Sequence, residues 1–344
     1  MGPFFRALFI VTKIHKIMFE KNRMSLVIRV FSYSILATTF VFLINNVLTV
    51  WFDWPGVKNL FSHYGLFGFK KLSKPLSDSV LNFAFLQLFF YLISIFLAIF
   101  YVNRSIKQTL TADSEILNKI TAYIIRSSFW AVLIVGIADL IISFMVVEKL
   151  VEPLFGEYLK NKLAIPAFRI SFIHFPLILI SFVVGYFTRS VGFIWLAVLV
   201  VASEFFIVLS RFIFEYEQAF QGDLVRFWYS ALYLFASAYA LIHEGHVRVD
   251  VLYTGFSERK KAWTNSIGSL ILGIPLCLIV LFLGMGGKAS IINGPVISFE
   301  ITQQGSNGLY LLYLMAVYLA VFAVSMLIQF TSYFMSSSDK LLKN

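Results

Sequence analysis

The densest polar run in this apolar chain is His243-Glu244-Gly245-His246-Val247-Arg248-Val249-Asp250. His243 and His246 fall three apart, on one face if the preceding helix continues, while Arg248 and Asp250 alternate with Val247, Val249 and Val251. An Arg fork and an Asp carboxylate so placed can fix a backbone turn or the end of a partner helix through charged hydrogen bonds. Two more carboxylates, Asp139 and Glu204, interrupt long apolar runs. A charge at mid-bilayer costs about 2.5–3.5 kcal/mol on insertion scales, so each reads either as part of a proton or sodium relay or as a carboxyl held against another helix. The structural reading is preferred for both, and each is expected to stand alone rather than in a convergent polar site.

Other chemistries fit poorly. His174, His243 and His246 lie in or near apolar runs and raise the question of a haem, but two b-haems need four ligands paired across a bilayer. The remaining histidines, His15 and His63, fall in the N-terminal arm and in a loop. Cys277 is the one cysteine, which excludes an internal disulfide and a cysteine-based metal knuckle. Gly287-Lys288 lacks the upstream glycine and following Ser/Thr of a phosphate loop, and no zinc-protease helix or Gly-x-Ser-x-Gly elbow occurs. No catalytic residue, metal or cofactor is expected, and the chain reads as no enzyme.

The elements that must position these residues are membrane helices. Of 344 residues, 59% are hydrophobic and 13% charged, outside the range of soluble domains. Runs long enough to cross about 30 Å of hydrocarbon cover Val30–Phe52, Val80–Val102, Ser127–Val147, Ile170–Thr188, Ser190–Ser210, Phe227–Ile242, Ile267–Met285 and Gly308–Phe330. The fold class expected is an all-α integral membrane protein of about eight transmembrane helices, with the sixth, Phe227–Ile242, the shortest. With the N-terminus placed inside, 17 of the 28 Lys and Arg fall in inner segments and 9 in outer loops, so both termini are expected in the cytoplasm. That bias also accounts for the net charge of +10, and no nucleic-acid partner is expected.

Residues 1–29 read as a basic amphipathic arm, because Phe5, Leu8, Ile14, Ile17 and Met18 alternate with Arg6, Lys13, Lys16 and Lys21. It is expected to stay uncleaved, since Arg6 breaks the apolar run and no small-x-small site follows. The loops Asp53–Ser79 and Glu148–Ala167 read as water-facing connections.

The run Tyr239 to Asp250, with its His-x-Gly-His-Val-Arg-Val-Asp string, resembles the hallmark of the small permease (DctQ-like) subunits of TRAP, or tripartite ATP-independent periplasmic, transporters, in the mannitol/chloroaromatic-type form. Ser210-Arg211-Phe212 resembles the Ser-Arg-Tyr that ends that family's first helix, and Trp228 the tryptophan that opens its second. Gly268, Pro275, Glu300 and Gln329 fall where the family often has such residues. The family often has acidic residues just after the tryptophan, where this chain has Tyr229-Ser230. The resemblance covers about 190–335, leaving 30–189 as a four-helix N-terminal extension and 336–344 as a cytoplasmic tail.

What the resemblance implies is a non-enzymatic transport component of a bacterial inner membrane. Its partners would be a large permease subunit, which it braces, a periplasmic solute-binding protein and membrane lipid. The process would be cation-coupled uptake of a small, often carboxylate, solute. Arg211, Trp228, His243, Gly245, His246, Arg248 and Asp250 become candidates for subunit contact or internal support. A redox anchor subunit carrying haem or quinone and a stand-alone carrier are the alternatives; the carrier would need paired Gly/Pro breaks in two similar halves, whereas Pro176 and Pro275 are isolated.

Overall fold

Each long apolar run becomes a helix that stops where the backbone cannot continue it. The computed structural model describes residues 3–189, 193–213, 215–216, 219–242, 253–302 and 308–343, with side chains from residue 22 onward apart from Phe193, Ala219 and Ile242. Helix α1 (Pro3–Trp51) starts on a proline, whose missing N–H is no loss in a first turn. After it, Asp53 takes a left-handed φ of 55° and Pro55 follows. A short helix α2 (Gly56–Tyr64) leads to α3 (Asp78–Arg104), which has an acid in its first turn and a base in its last, as the helix dipole favours. Helix α4 (Leu110–Val147) is 38 residues long, so it absorbs most of the loop expected between the second and third spans.

Two short helices, α5 (Val151–Phe155) and α6 (Glu157–Leu163), meet at Gly156, whose φ of 85° suits glycine. Helix α7 (Pro166–Phe187) follows, then α8 (Phe193–Phe212) and α9 (Ala219–Ile242). Beyond them lie α10 (Glu258–Gly284), the short α11 (Asn293–Ile297) and α12 (Leu312–Lys343). Helices α7 and α10 each widen into one π turn, at Ile170–His174 and Ser269–Gly273. Pro176 and Pro275 stand just after them, and a proline inside a helix can neither donate to the carbonyl four residues back nor clear it. A wider turn relieves that clash, which gives the two prolines a shared structural role.

The protein is an all-α, multi-pass membrane protein. Among the described residues there is no strand, and seven helices are long and apolar enough to cross a membrane: Asn22–Trp51 of α1, α3, α4, α7, Ile194–Phe212 of α8, α10 and α12. Helix α9, which holds the sixth expected run, is 24 residues long but falls outside these seven. Asp223, Arg226 and its tyrosines lower its apolarity.

Contacts group the chain into two compact units. The first comprises Met1–Leu117, Val249–Ile274 and Phe330–Asn344. In it α1 packs along α3, and Arg29, counted in sequence with the basic arm, is fully buried. Its Nε meets Asp113 Oδ2 at 2.5 Å, Nη1 donates to Ser105 O at 2.8 Å and Nη2 to Ser105 Oγ at 2.7 Å, while Tyr33 Oη donates to Asp113 Oδ1 at 3.0 Å. Arg29 thereby satisfies a carbonyl just past the end of α3 and a carboxylate in the first turn of α4, both favourable at those helix ends. Small residues set the other contacts: Ser114 Oγ lies 2.8 Å from Ser332 Oγ and Ser266 Oγ 2.9 Å from Ser338 Oγ. A Cβ on Gly273 would come within 2.5 Å of the Phe330 ring. Such small and hydroxyl residues let membrane helices approach closely.

Candidate functional site

The second unit, Asn118–Arg248 and Pro275–Gln329, is organised by the carboxylate that sequence reading left alone. Asp139 on α4 is fully buried and not solitary. Arg169 Nε lies 2.6 Å from Asp139 Oδ1, off the hydrogen-bonding direction, and Arg169 Nη2 donates to Asp139 O and to Ser143 Oγ, each at 2.7 Å. His174 Nε2 lies 2.9 Å from the same Oδ1, and its Nδ1 lies 3.2 Å from Tyr313 Oη. The backbone N–H of Tyr310 donates to Asp139 Oδ2 at 2.7 Å. Its ring lies under the guanidinium, with Arg169 Cζ 4.3 Å from the ring centroid, a cation–π contact.

Local geometry explains how two side chains of one helix reach one carboxylate. Arg169 and His174 are five residues apart, about 140° around an α-helix, which would point them to different neighbours. The π turn between them bonds residues five apart, as Phe175 N does to Ile170 O, and brings both to the side of Asp139. The expectation that Asp139 stands alone is corrected for this reason. Arg169 stands just ahead of the apolar run that begins at Ile170, and α-helical periodicity separates it from His174; the signal that could have joined them is Pro176.

A second carboxylate that sequence reading passed over does a parallel job. Asp223, in the second turn of α9 and 1% exposed, accepts from the backbone N–H of Leu309 at 3.3 Å. Consecutive amides of the Gly308–Leu311 strap are therefore held by carboxylates from two helices, α4 and α9. The strap turns tightly, with Thr302 N donating to Leu309 O at 2.9 Å. A Cβ on Gly308 would lie 1.7 Å from Thr302 O, so only glycine fits.

Chemically the centre is a closed, nearly neutral clamp. With His174 as the neutral Nε2–H tautomer, the imidazole donates to Asp139 and accepts from Tyr313, and the Arg169 and Asp139 charges cancel. Both oxygens of Asp139 and both ring nitrogens of His174 are engaged inside the cluster. Such saturation suits holding helices in place better than binding a solute.

The other expected residues fall elsewhere. Trp228 on α9 is buried against Gly136 of α4, where a Cβ would come within 2.9 Å of its Nε1, and that nitrogen donates to Val132 O at 3.4 Å. It acts inside the fold. Glu204 is exposed on α8 among exposed Val201, Phe205 and Val208, and Arg211 is exposed in the last turn of the same helix. Glu300 is exposed and Gln329 and Cys277 are buried. His243, Gly245, His246, Arg248 and Asp250 lie outside the described residues. Among the described residues no group of three His, Cys, Asp or Glu is placed to hold a metal ion.

Residues 185–334 match the family model described as Tripartite ATP-independent periplasmic transporters, DctQ component. That stretch nearly coincides with the 190–335 expected from the resemblance, and α1, α3, α4 and nearly all of α7 precede it. The family is a transport component and not an enzyme family. No curated protein and no solved structure matches the chain.

Proposed function

From a chain that carries a DctQ component over residues 185–334, we propose a small membrane subunit of a TRAP-type transporter that braces the large permease. The process is cation-coupled uptake of a small solute, in this family often a carboxylate, delivered by a periplasmic binding protein to a bacterial inner membrane. The family match carries this reading. The saturated Asp139 centre supports it, because its polar atoms are spent on holding α4, α7 and the Gly308–Leu311 strap together.

The proposed topology has eight crossings with both termini in the cytoplasm. Helix α9 supplies the eighth: it packs along α8 after a connection of six residues, and Gln221 Nε2 donates to Ser210 Oγ at 2.8 Å across that turn. A 24-residue helix rises about 36 Å, enough to cross. In this arrangement 1–29 is an inner arm, 30–189 an extension, 190–335 the small-permease domain and 336–344 an inner tail. Glu204 and Arg211, exposed on α8, and the His243–Asp250 string are the contacts assigned to the large subunit.

Co-purification tests the bracing role. Tagged Arg248→Ala and Asp250→Ala variants lose the large subunit, by about 1–3 kcal/mol for a broken charged hydrogen bond, while the periplasmic protein binds solute as before. Full recovery of the complex together with an altered solute preference in cell uptake defeats this role and moves the string into the translocation path.

A further inference from the structure

We infer that the first unit contains a binding site for an anionic phospholipid, with the headgroup phosphate in a cavity between residues 22–26 of α1 and the ends of α3, α4 and α12. The cavity has a volume of about 890 Å³, ample for a headgroup. Arg23, Lys107 and Lys343 line it against one carboxylate, Asp339. That carboxylate is already engaged: Asp339 Oδ2 accepts from Lys343 Nζ at 2.6 Å and from Thr111 Oγ1. Arg23 and Lys107 are exposed, and among the described residues neither has an ion-pair partner. Among the described residues the cavity therefore keeps an excess of positive charge, carried by two exposed side chains.

Its depth and its walls favour a lipid over a soluble anion. Arg104 closes the apolar run of α3 and Lys107 stands just beyond it, which puts the cavity at headgroup level. Leu26, Ile106 and Leu342 form apolar walls beside the charges. Along α1 the face of Leu26 recurs at Ala37, Val41 and Ile44, since 11, 15 and 18 residues are close to whole turns. Those three line an apolar groove with Phe90, Leu97 and Ala98 of α3. Ala98 lies six residues from Arg104, about 9 Å deeper, within the roughly 15 Å of one leaflet's hydrocarbon. A tail from a headgroup in the cavity thus runs down this face and reaches the near end of the groove. Every residue lining the cavity lies outside 185–334, so the family match does not assign it.

Native mass spectrometry of the full chain in detergent, titrated separately with dioleoyl phosphatidylglycerol and dioleoyl phosphatidylethanolamine, tests the site. The wild type retains phosphatidylglycerol preferentially. An Arg23→Gln/Lys107→Gln variant loses about twenty-five-fold in affinity for it, two basic contacts each worth roughly fivefold near an anionic surface. Lys71→Gln/Lys74→Gln, exposed in another loop, leaves binding unchanged. Equal retention of the two lipids by the wild type overturns the proposal without recourse to any variant. So does unchanged binding in the Arg23/Lys107 variant, and so does displacement of the lipid by millimolar inorganic phosphate, which marks a soluble-anion site.

Discussion

Arg29–Asp113 in the first unit and Arg169–Asp139 in the second are the same chemical pair at nearly the same burial, yet they are supported differently. The first is a pin. Its Arg is divided among three acceptors at the junction of two helix ends, and its Asp sits in a first turn, where the helix dipole helps carry the charge. The second is a hub. Asp139 lies well inside α4, without that help, and draws donors from Arg169, His174 and a backbone strap. Equal burial therefore does not imply equal dependence on the partner: a pin at a helix end loses one contact with its Arg, whereas a hub loses the charge that makes its interior position tolerable.

The largest expected effect breaks the hub. Arg169→Ala leaves Asp139 buried beside a neutral imidazole and one amide, and costs about 3–5 kcal/mol, the usual result of removing one partner of a buried pair. A fall in the midpoint of thermal unfolding of the purified chain measures it, and Asp139→Asn together with Arg169→Met recovers much of the loss. Next comes the pin. Arg29→Ala costs about 1.5–3 kcal/mol, the range for hydrogen bonds to charged groups, because Tyr33 and the first turn of α4 still hold Asp113. Equal losses at Arg29 and Arg169 would abolish the distinction. The smallest effect sharpens it: Trp228→Phe keeps the ring against Gly136 but drops the bond to Val132 O, costing about 1 kcal/mol in the same assay.

Much of this architecture was legible in the sequence because bilayer thickness imposes a length on apolar runs, and each of the eight expected runs maps onto a helix. The chemistry was legible only in halves. Asp139 announced itself as a charge among apolar residues, but Arg169 stands at the start of its helix, where a base ordinarily reaches water, and its kinship with His174 depends on a π turn. Arg29 was concealed in the same way, as one more base in a basic arm. Asp223 lies outside the apolar run that begins at Phe227, beside Arg226, where nothing marks it as buried. In each case the side chain's type was visible and its partner was not, since the partner is fixed by tertiary approach and sequence periodicity reports only local geometry. The His243–Asp250 string shows the converse: it carried the resemblance and lies outside the described residues.

The Gly308–Leu311 strap makes part of this unit invisible to ordinary mutagenesis. What it gives Asp139 and Asp223 are main-chain amides, and every residue but proline presents an amide there. An alanine scan across Leu309 and Tyr310 would register the buried leucine and the ring under Arg169 but leave both amide donors in place, so their contribution would go unread. Tyr310→Pro would delete the donor to Asp139 outright, and Gly308→Ala would displace it by a collision with Thr302. What the strap gives the two carboxylates is thus written in where the backbone passes, and depends on the glycine that lets it pass.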